Sequence, residues 1–345
     1  MGTSTRREPA AIGENPVKVL ITGGTGFVGA WTAKAVADAG HSVRFLVRKP
    51  ARLQTSVARL GVDTTDHTVG DIADARSTTA ALDGCDAVIH CAAMVSTDPR
   101  QADTMLRTNL DGGRNVLGAA AERGLDPIVH VSSFTALFRP GLEVLSADLP
   151  VGGGRDGYGR SKAALEAYAR GLQDAGAPVA ITYPGMVLGP PAGDQFGEAA
   201  EGVQAAVQMR GLPGRGGGWL VVDVRDVAAL HAALLTPGKG PRRYMAGGRR
   251  IGVAELASMI GSAANRSLRV YPLPDMVLRR IGELTDVVGR FLPLDTAVSA
   301  AAMQYFTQMP QSDDTPSTAE LGVTYRDPRD TLRGTVSGLR EFGRL

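Results

Sequence analysis

The 345-residue chain is 43% hydrophobic and 21% charged, with 44 glycines and two cysteines. This profile excludes disordered and disulfide-framed classes and leaves room for a large core with a second lobe. Its 37 Lys and Arg nearly cancel 35 Asp and Glu, for a formal charge of +2, so no strong overall basic field exists to hold nucleic acid or an acidic membrane. Cys85 and Cys91 are too few for a thiolate zinc site and read as small core residues. His41, His67, His90, His130 and His231 show no metal-ligand spacing, so no metal is expected and His231 reads as structural.

Residues 1–16 lack the apolar run of a secretory signal and read as a disordered tail. Arg6 stands where myristoylation of Gly2 would require Ser or Thr. The most apolar helical run, Val227–Leu235, falls far short of the roughly 18 residues of a bilayer span. A cytoplasmic protein with no integral membrane segment is expected.

Short β-branched runs then recur at Val17–Thr22, Ser42–Val47, Ala87–Cys91, Ile128–Val131 and Val179–Tyr183, with Ala-rich helical stretches at Phe27–Ala39, Leu110–Arg123 and Gly159–Asp174 between them. Strands apolar on both faces, alternating with helices, predict an α/β fold, a Rossmann-like doubly wound parallel sheet. We expect this dinucleotide-binding domain over residues 17–184, with 221–248 returning to it. The Gly/Pro-rich 185–220 and the helical 249–345 are expected to form a smaller C-terminal substrate lobe.

The first strand runs straight into Thr22-Gly23-Gly24-Thr25-Gly26-Phe27-Val28-Gly29. Gly23 and Gly26 permit a tight turn that a pyrophosphate can approach, and Gly29 permits close helix–sheet packing. The following helix N-terminus offers free N–H groups to the anion. An NAD site expects an acid at the end of the second strand, but Val47 stands there, followed by Arg48, Lys49 and Arg52. Cations suit a 2′-phosphate, so NADP(H) is expected in preference to NAD(H). Asp71 and Ile72 are placed over the adenine.

The Ile128–Val131 strand ends in Ser132-Ser133, and Tyr158 and Lys162 follow four apart on a helix. That spacing puts them on one face, where an ammonium would lower the tyrosine pKa and make it a proton carrier near neutral pH. A serine hydroxyl alongside could bind the reacting oxygen. All three need only meet at the carboxyl ends of the strands, where open sheets of this kind bind ligands.

With these motifs in place, the sequence resembles the extended short-chain dehydrogenases/reductases over about residues 17–340. The family's TGxxGxxG matches residues 22–29, its YxxxK matches Tyr158 and Lys162, and its strand-end serine matches Ser133, with Ser132 the other register. The resemblance implies that Asn109 is the structural and proton-relay asparagine, and that Cys91-Ala92-Ala93 and Pro184-Gly185-Met186-Val187 pass the cofactor. Tyr183 departs from the family's arginine in that last stretch. Val222–Val227 is similar to a later VDVxDVA motif. The second-strand sequence looks most like the dihydroflavonol reductase, aldehyde or ketone reductase and hydroxysteroid dehydrogenase group.

The resemblance implies hydride transfer to a carbonyl of a mostly apolar small molecule, with a homodimer as a family expectation. A nucleotide-sugar epimerase or dehydratase with tightly bound nicotinamide, and a non-catalytic dinucleotide sensor, stand as alternatives. Met186, Phe196, Met209, Trp219, Met276, Phe291, Met303 and Phe306 are candidates to line the substrate pocket, each with packing in the core as its plainer reading. Residues 275–306 have helical apolar spacing, read as a packed amphipathic helix, a lid, or a surface for membrane or a second subunit. Arg279, Arg280 and Arg290 read as its solvated face.

Overall fold

A computed structural model describes residues 16–95, 99–154, 156–289 and 298–345. The expected tail as far as Asn15, and Arg290 and Phe291, lie outside the described residues. Fourteen strands are described, in chain order β1 (Lys18–Thr22), β2 (Ser42–Val47), β3 (His67–Val69), β4 (Ala87–His90), β5 (Ile128–Val131), β6 (Val144–Leu145), β7 (Val179–Pro184), β8 (Met186–Leu188), β9 (Gly211–Pro213), β10 (Gly218–Asp223), β11 (Arg242–Ala246), β12 (Arg249–Gly252), β13 (Arg269–Tyr271) and β14 (Gln311–Ser312). The helices are α1 (Phe27–Asp38), α2 (Ala51–Thr55), α3 (Ala75–Leu82), α4 (Ala102–Glu122), α5 (Gly157–Asp174), α6 (Ala199–Gln208), α7 (Val224–Ala233), α8 (Val253–Ala264), α9 (Asp275–Gly289), α10 (Ala300–Thr307), α11 (Thr315–Leu321) and α12 (Pro328–Glu341).

Seven strands form one sheet in the order β11-β7-β5-β4-β1-β2-β3, with every pairing parallel. Alternate residues of each strand feed opposite cores. Val19 and Ile21 pack with α1 and α7, and Leu20 packs on the α3, α4 and α5 side. Strand order reverses between β1 and β4, which opens a crevice at their carboxyl ends.

Two strands of this sheet escaped the apolar-run reading. β3 is a three-residue edge with two exposed members, and β11 opens on Arg242 and Arg243, cations that argue against a buried strand. The Arg242 guanidinium is satisfied locally by the carbonyls of Leu234 and Gly240, each at 2.7 Å. Helix α4 begins eight residues before the expected Leu110, because Met105, Asn109 and Gly112 hold the buried face through a polar stretch.

A third core joins α6, β10, β12, α8 and α12 around Val203, Trp219, Ile251, Leu256 and Leu332. β10 pairs with β8 and β12 rather than with the main sheet. Helix α12 latches this region to the crevice. The Gly189 N–H donates to Thr335 Oγ1 at 2.8 Å, and Thr331 Oγ1 donates to buried Asp223 at 2.9 Å.

Candidate active site

The turn from β1 to α1 is shaped by its glycines. Gly23 has φ +73°, and a Cβ there would lie 2.7 Å from the Ala92 nitrogen. A Cβ on Gly29 would lie 2.2 Å from the Gly23 carbonyl oxygen. No side chain caps α1 and its first turn holds no acid, so its N–H groups and positive dipole end face the crevice unopposed. Thr22 joins the turn to the end of β4, since its Oγ1 meets His90 Nδ1 at 2.8 Å and accepts from the Ala92 N–H at 3.3 Å. Thr25, Arg48, Lys49 and Arg52 line a cavity of about 230 Å³ beside it. The cations are exposed, and Arg48 stands 3.9 Å from Asp71. Ile72 packs on Gly112 of α4.

Ser133 follows β5, buried, and its Oγ accepts from the Thr135 N–H at 3.2 Å and from Thr135 Oγ1 at 3.0 Å. With both lone pairs engaged, its own proton is left free, and the Ser133 side chain acts on Tyr158 to lower its pKa. Lys162 is buried one turn further along α5. Its Nζ lies 5.8 Å from the Tyr158 ring centroid and donates to the Val131 carbonyl at 3.1 Å. Burial lowers the Lys162 pKa to about 8.

The expected lowering of the tyrosine pKa does not occur. Burial raises it, Glu198 and Asp156 raise it further, and only the Ser133 hydrogen bond opposes them. Lys162, over the ring at 5.8 Å from its centroid, is not among the groups that shift it.

Other residues brace this arrangement. Asp156 caps α5 by accepting from the Gly159 N–H at 2.9 Å, and its other oxygen accepts from Tyr305 of α10 at 2.8 Å. The Tyr305 ring packs edge-on against Phe134 at 5.6 Å and Phe138 at 4.9 Å, directly after Ser133. Asn109 is wholly engaged, bonded to both backbone groups of Met94 and to Ser161 at 3.1 Å. It therefore joins the segment after β4 to α5. Glu198, at the start of α6, adjoins Gly197, where a Cβ would lie 2.7 Å from the Val187 carbonyl and 3.0 Å from the Phe27 ring. Glu198 retains solvent access, yet burial raises its carboxyl to about 7, aided by Glu201 and opposed by Lys162.

Residues 19–247, more than half of the chain, match the profile of the NAD dependent epimerase/dehydratase family. The chain belongs to this family. Sterol demethylase protein B of Methylococcus capsulatus is 26% identical over 340 residues, covering 94% of this chain and 99% of its own. Cinnamoyl-CoA reductase 2 of Arabidopsis thaliana is 25% identical over 354 residues, covering 95% and 93%. The NAD-bound UDP-glucose-4-epimerase of Stenotrophomonas maltophila superposes with a TM-score of 0.76 at 20% identity over 95% of this chain and 99% of its own, a likeness of fold.

The segments matched by motif lie at the ends of β4 and β7. Cys91 follows β4 and touches Thr32, and burial pushes its thiol up to about 12. Pro184 ends β7, the Gly185 N–H donates to Ala246 at 3.0 Å, and Met186 and Val187 begin β8. Ser132 is buried with its hydroxyl unpartnered among the described residues, and Ser133 holds the contact with Tyr158. Tyr183, in the family's arginine position, turns away from the crevice and donates to buried Glu166 at 2.6 Å.

The apolar pocket candidates divide between core and solvent. Met209 and Met276 project into solvent, Trp219 and Phe306 belong to the third core, and Phe196 packs on Phe342. Apolar side chains look alike in sequence whether they face a core, a pocket or water. His231 bridges Thr32 at 2.8 Å and Thr182 at 3.1 Å. Among the described residues no His, Cys, Asp and Glu cluster suits a metal, and no helix is long and apolar enough to cross a membrane.

Proposed function

We propose that the protein is an NADP(H)-dependent reductase that converts a carbonyl of a mostly apolar small molecule to the alcohol, or runs the reverse, through Ser133, Tyr158 and Lys162. The observation that carries this reading is buried Lys162, its Nζ over the Tyr158 ring at 5.8 Å from the centroid, beside a glycine turn that side chains would fill.

The residues fit a 2′-phosphorylated dinucleotide. Residues 22–29 would hold the pyrophosphate, Arg48, Lys49 and Arg52 the 2′-phosphate, and Asp71 with Ile72 the adenine side. Cys91, Ala92, Ala93 and residues 184–187 would flank the nicotinamide, and Lys162 its ribose. When bound, the cofactor supplies or accepts the hydride.

The chain's own groups do the rest. Ser133 can turn its hydroxyl proton from Tyr158 to the substrate oxygen and fix it. Tyr158, its pKa raised, holds its phenolic proton at neutral pH and supplies it as charge develops on that oxygen. Lys162 keeps a positive charge below pH 8 to stabilise the phenolate left behind. A neutral phenol favours the reductive direction. The names of the two sequence relatives, a reductase and a sterol demethylase protein, support reduction and an apolar substrate.

NADPH absorbance is followed with ketones, aldehydes, steroids and UDP-sugars. Steady oxidation with an apolar carbonyl is expected, reduced about 10²- to 10⁴-fold in Tyr158→Phe with cofactor binding retained. Wild-type turnover in that variant overturns the assignment. Sugar interconversion without net NADPH consumption favours an epimerase, and binding without any turnover favours a sensor.

A further inference from the structure

Helix α9 is amphipathic the wrong way round for a helix of a soluble core. Met276, Val277, Ile281, Leu284, Val287 and Val288 fall within an arc of about 140° that also holds exposed Arg280. All six are exposed, Met276 to 66%, Leu284 to 65% and Val287 to 50%. The opposite side makes the packing contact. Leu278 is buried, a Cβ on Gly282 would lie 2.7 Å from the Ser299 carbonyl, and Asp286 accepts from the Ala300 N–H at 3.2 Å. The helix thus turns small and polar groups toward α10 and its apolar stripe toward water, at a cost that an isolated surface leucine does not carry.

The stripe continues beyond the helix. Leu273 is exposed, its N–H bonded to the Tyr271 carbonyl at 2.7 Å, and exposed Tyr271 donates its hydroxyl to the carbonyl of exposed Met209 at 3.3 Å. Cations rim this end. Arg210 follows Met209, Arg269 shares a strand face with Tyr271, and Arg215 donates to the Pro272 carbonyl at 3.0 Å. All three are exposed, and none makes an ion pair among the described residues. On the helix, Glu283 is neutralised by Arg280 at 2.7 Å, Asp286 is held at Ala300, and Asp275 is half-buried. The rim is therefore net positive although the whole chain carries only +2.

We infer that the α9 stripe, with the Met209–Tyr271–Leu273 turn, is a peripheral docking surface for an anionic lipid bilayer. Apolar side chains enter the acyl boundary while Arg210, Arg215 and Arg269 meet the headgroups, the arrangement that holds interfacial helices on membranes. A second copy fits less well, because a two-fold contact would face this cationic rim with another. If the substrate is apolar, as proposed above, the surface would let the enzyme draw it from the bilayer. Docking itself does not depend on that reading.

The test is co-sedimentation of the full chain with vesicles of phosphatidylcholine alone and of phosphatidylcholine with phosphatidylglycerol. Binding to the anionic vesicles is expected, weakening as salt rises. Met276→Gln/Leu284→Gln should lower the partition roughly tenfold or more. Arg210→Ala/Arg269→Ala should lower it about fivefold per arginine on anionic vesicles only. These positions are exposed, so unchanged melting and unchanged dinucleotide binding serve as controls of folding. No sedimentation with anionic vesicles, or equal binding by wild type and variants, overturns the proposal. So does a dimer that Leu284→Gln dissolves in the absence of vesicle binding. Because sedimentation needs no turnover, its failure is distinct from failure to oxidise NADPH.

Discussion

Replacing Tyr305 by Phe isolates one hydrogen bond of the brace behind the proposed catalytic pair, Tyr158 and Lys162. The ring contacts with Phe134 and Phe138 survive, and only the 2.8 Å bond to Asp156 is lost. A hydrogen bond to a charged acceptor is worth about 1.5–3 kcal/mol. Because Tyr305 is half-buried, the lower end applies, and at roughly 2–4 °C per kcal/mol the melting temperature should fall by about 3–6 °C. Asp156→Ala should cost about 1 kcal/mol more, since it also uncaps α5. The double variant should be less destabilised than the sum of the singles by about 1.5 kcal/mol. Asp156 precedes Tyr158 by two residues, so kcat should fall about 3- to 10-fold with dinucleotide affinity unchanged. Calorimetry of the four proteins and steady-state kinetics provide the check. A coupling energy near zero, or melting unchanged in Tyr305→Phe, would refute the brace and leave Tyr305 as packing alone.

Other outcomes follow from the same geometry. Glu198→Gln removes a carboxylate that raises both Tyr158 and Lys162, so the basic limb of the activity–pH profile should move to lower pH; an unmoved limb means that Glu198 does not act on them. Gly29→Ala drives a Cβ to 2.2 Å from backbone and should cost about 1–3 kcal/mol along with most dinucleotide affinity in a fluorescence titration. Gly171→Ala, with open space at its Cβ, should instead stabilise α5 by about 0.5–1 kcal/mol. Arg48→Ala/Lys49→Ala/Arg52→Ala should weaken NADPH by about 10²-fold and leave NADH nearly unchanged in calorimetric titration; equal losses would remove the 2′-phosphate role.

Much of this architecture was legible because its signals are local. Strands buried on both faces must be apolar throughout, and a turn that brings Gly29 against Gly23 must lack side chains, so β1, α1 and the cradle stand out in one dimension. Tyr158 and Lys162 share a helix and betray themselves by spacing. Tyr305 has no such signal, since it meets Asp156 149 residues away through packing between distant elements. Asp156 did carry one, as an N-cap acid opening α5. The direction of the Tyr158 pKa was misread because charge was weighed by sequence distance, whereas burial and Glu198, far along the chain, set the balance. The stripe on α9 kept its period, but periodicity does not say which side faces the protein.

The hydroxyl of Thr335 grips Gly189 across 146 positions of chain, and this has a bearing on how the protein is made. During synthesis the sheet strands through β7 and the loop after β8 emerge well before α12 exists to hold them, and domains begin to fold as they appear. The crevice wall formed by residues 189–198 must therefore wait, loosely placed, until residues 328–341 arrive and close the latch. A chain cut before residue 328 would keep its glycine turn and α5 but lack the Thr335 hydrogen bond that fastens that wall. The firmness of that wall is acquired only once α12 has formed.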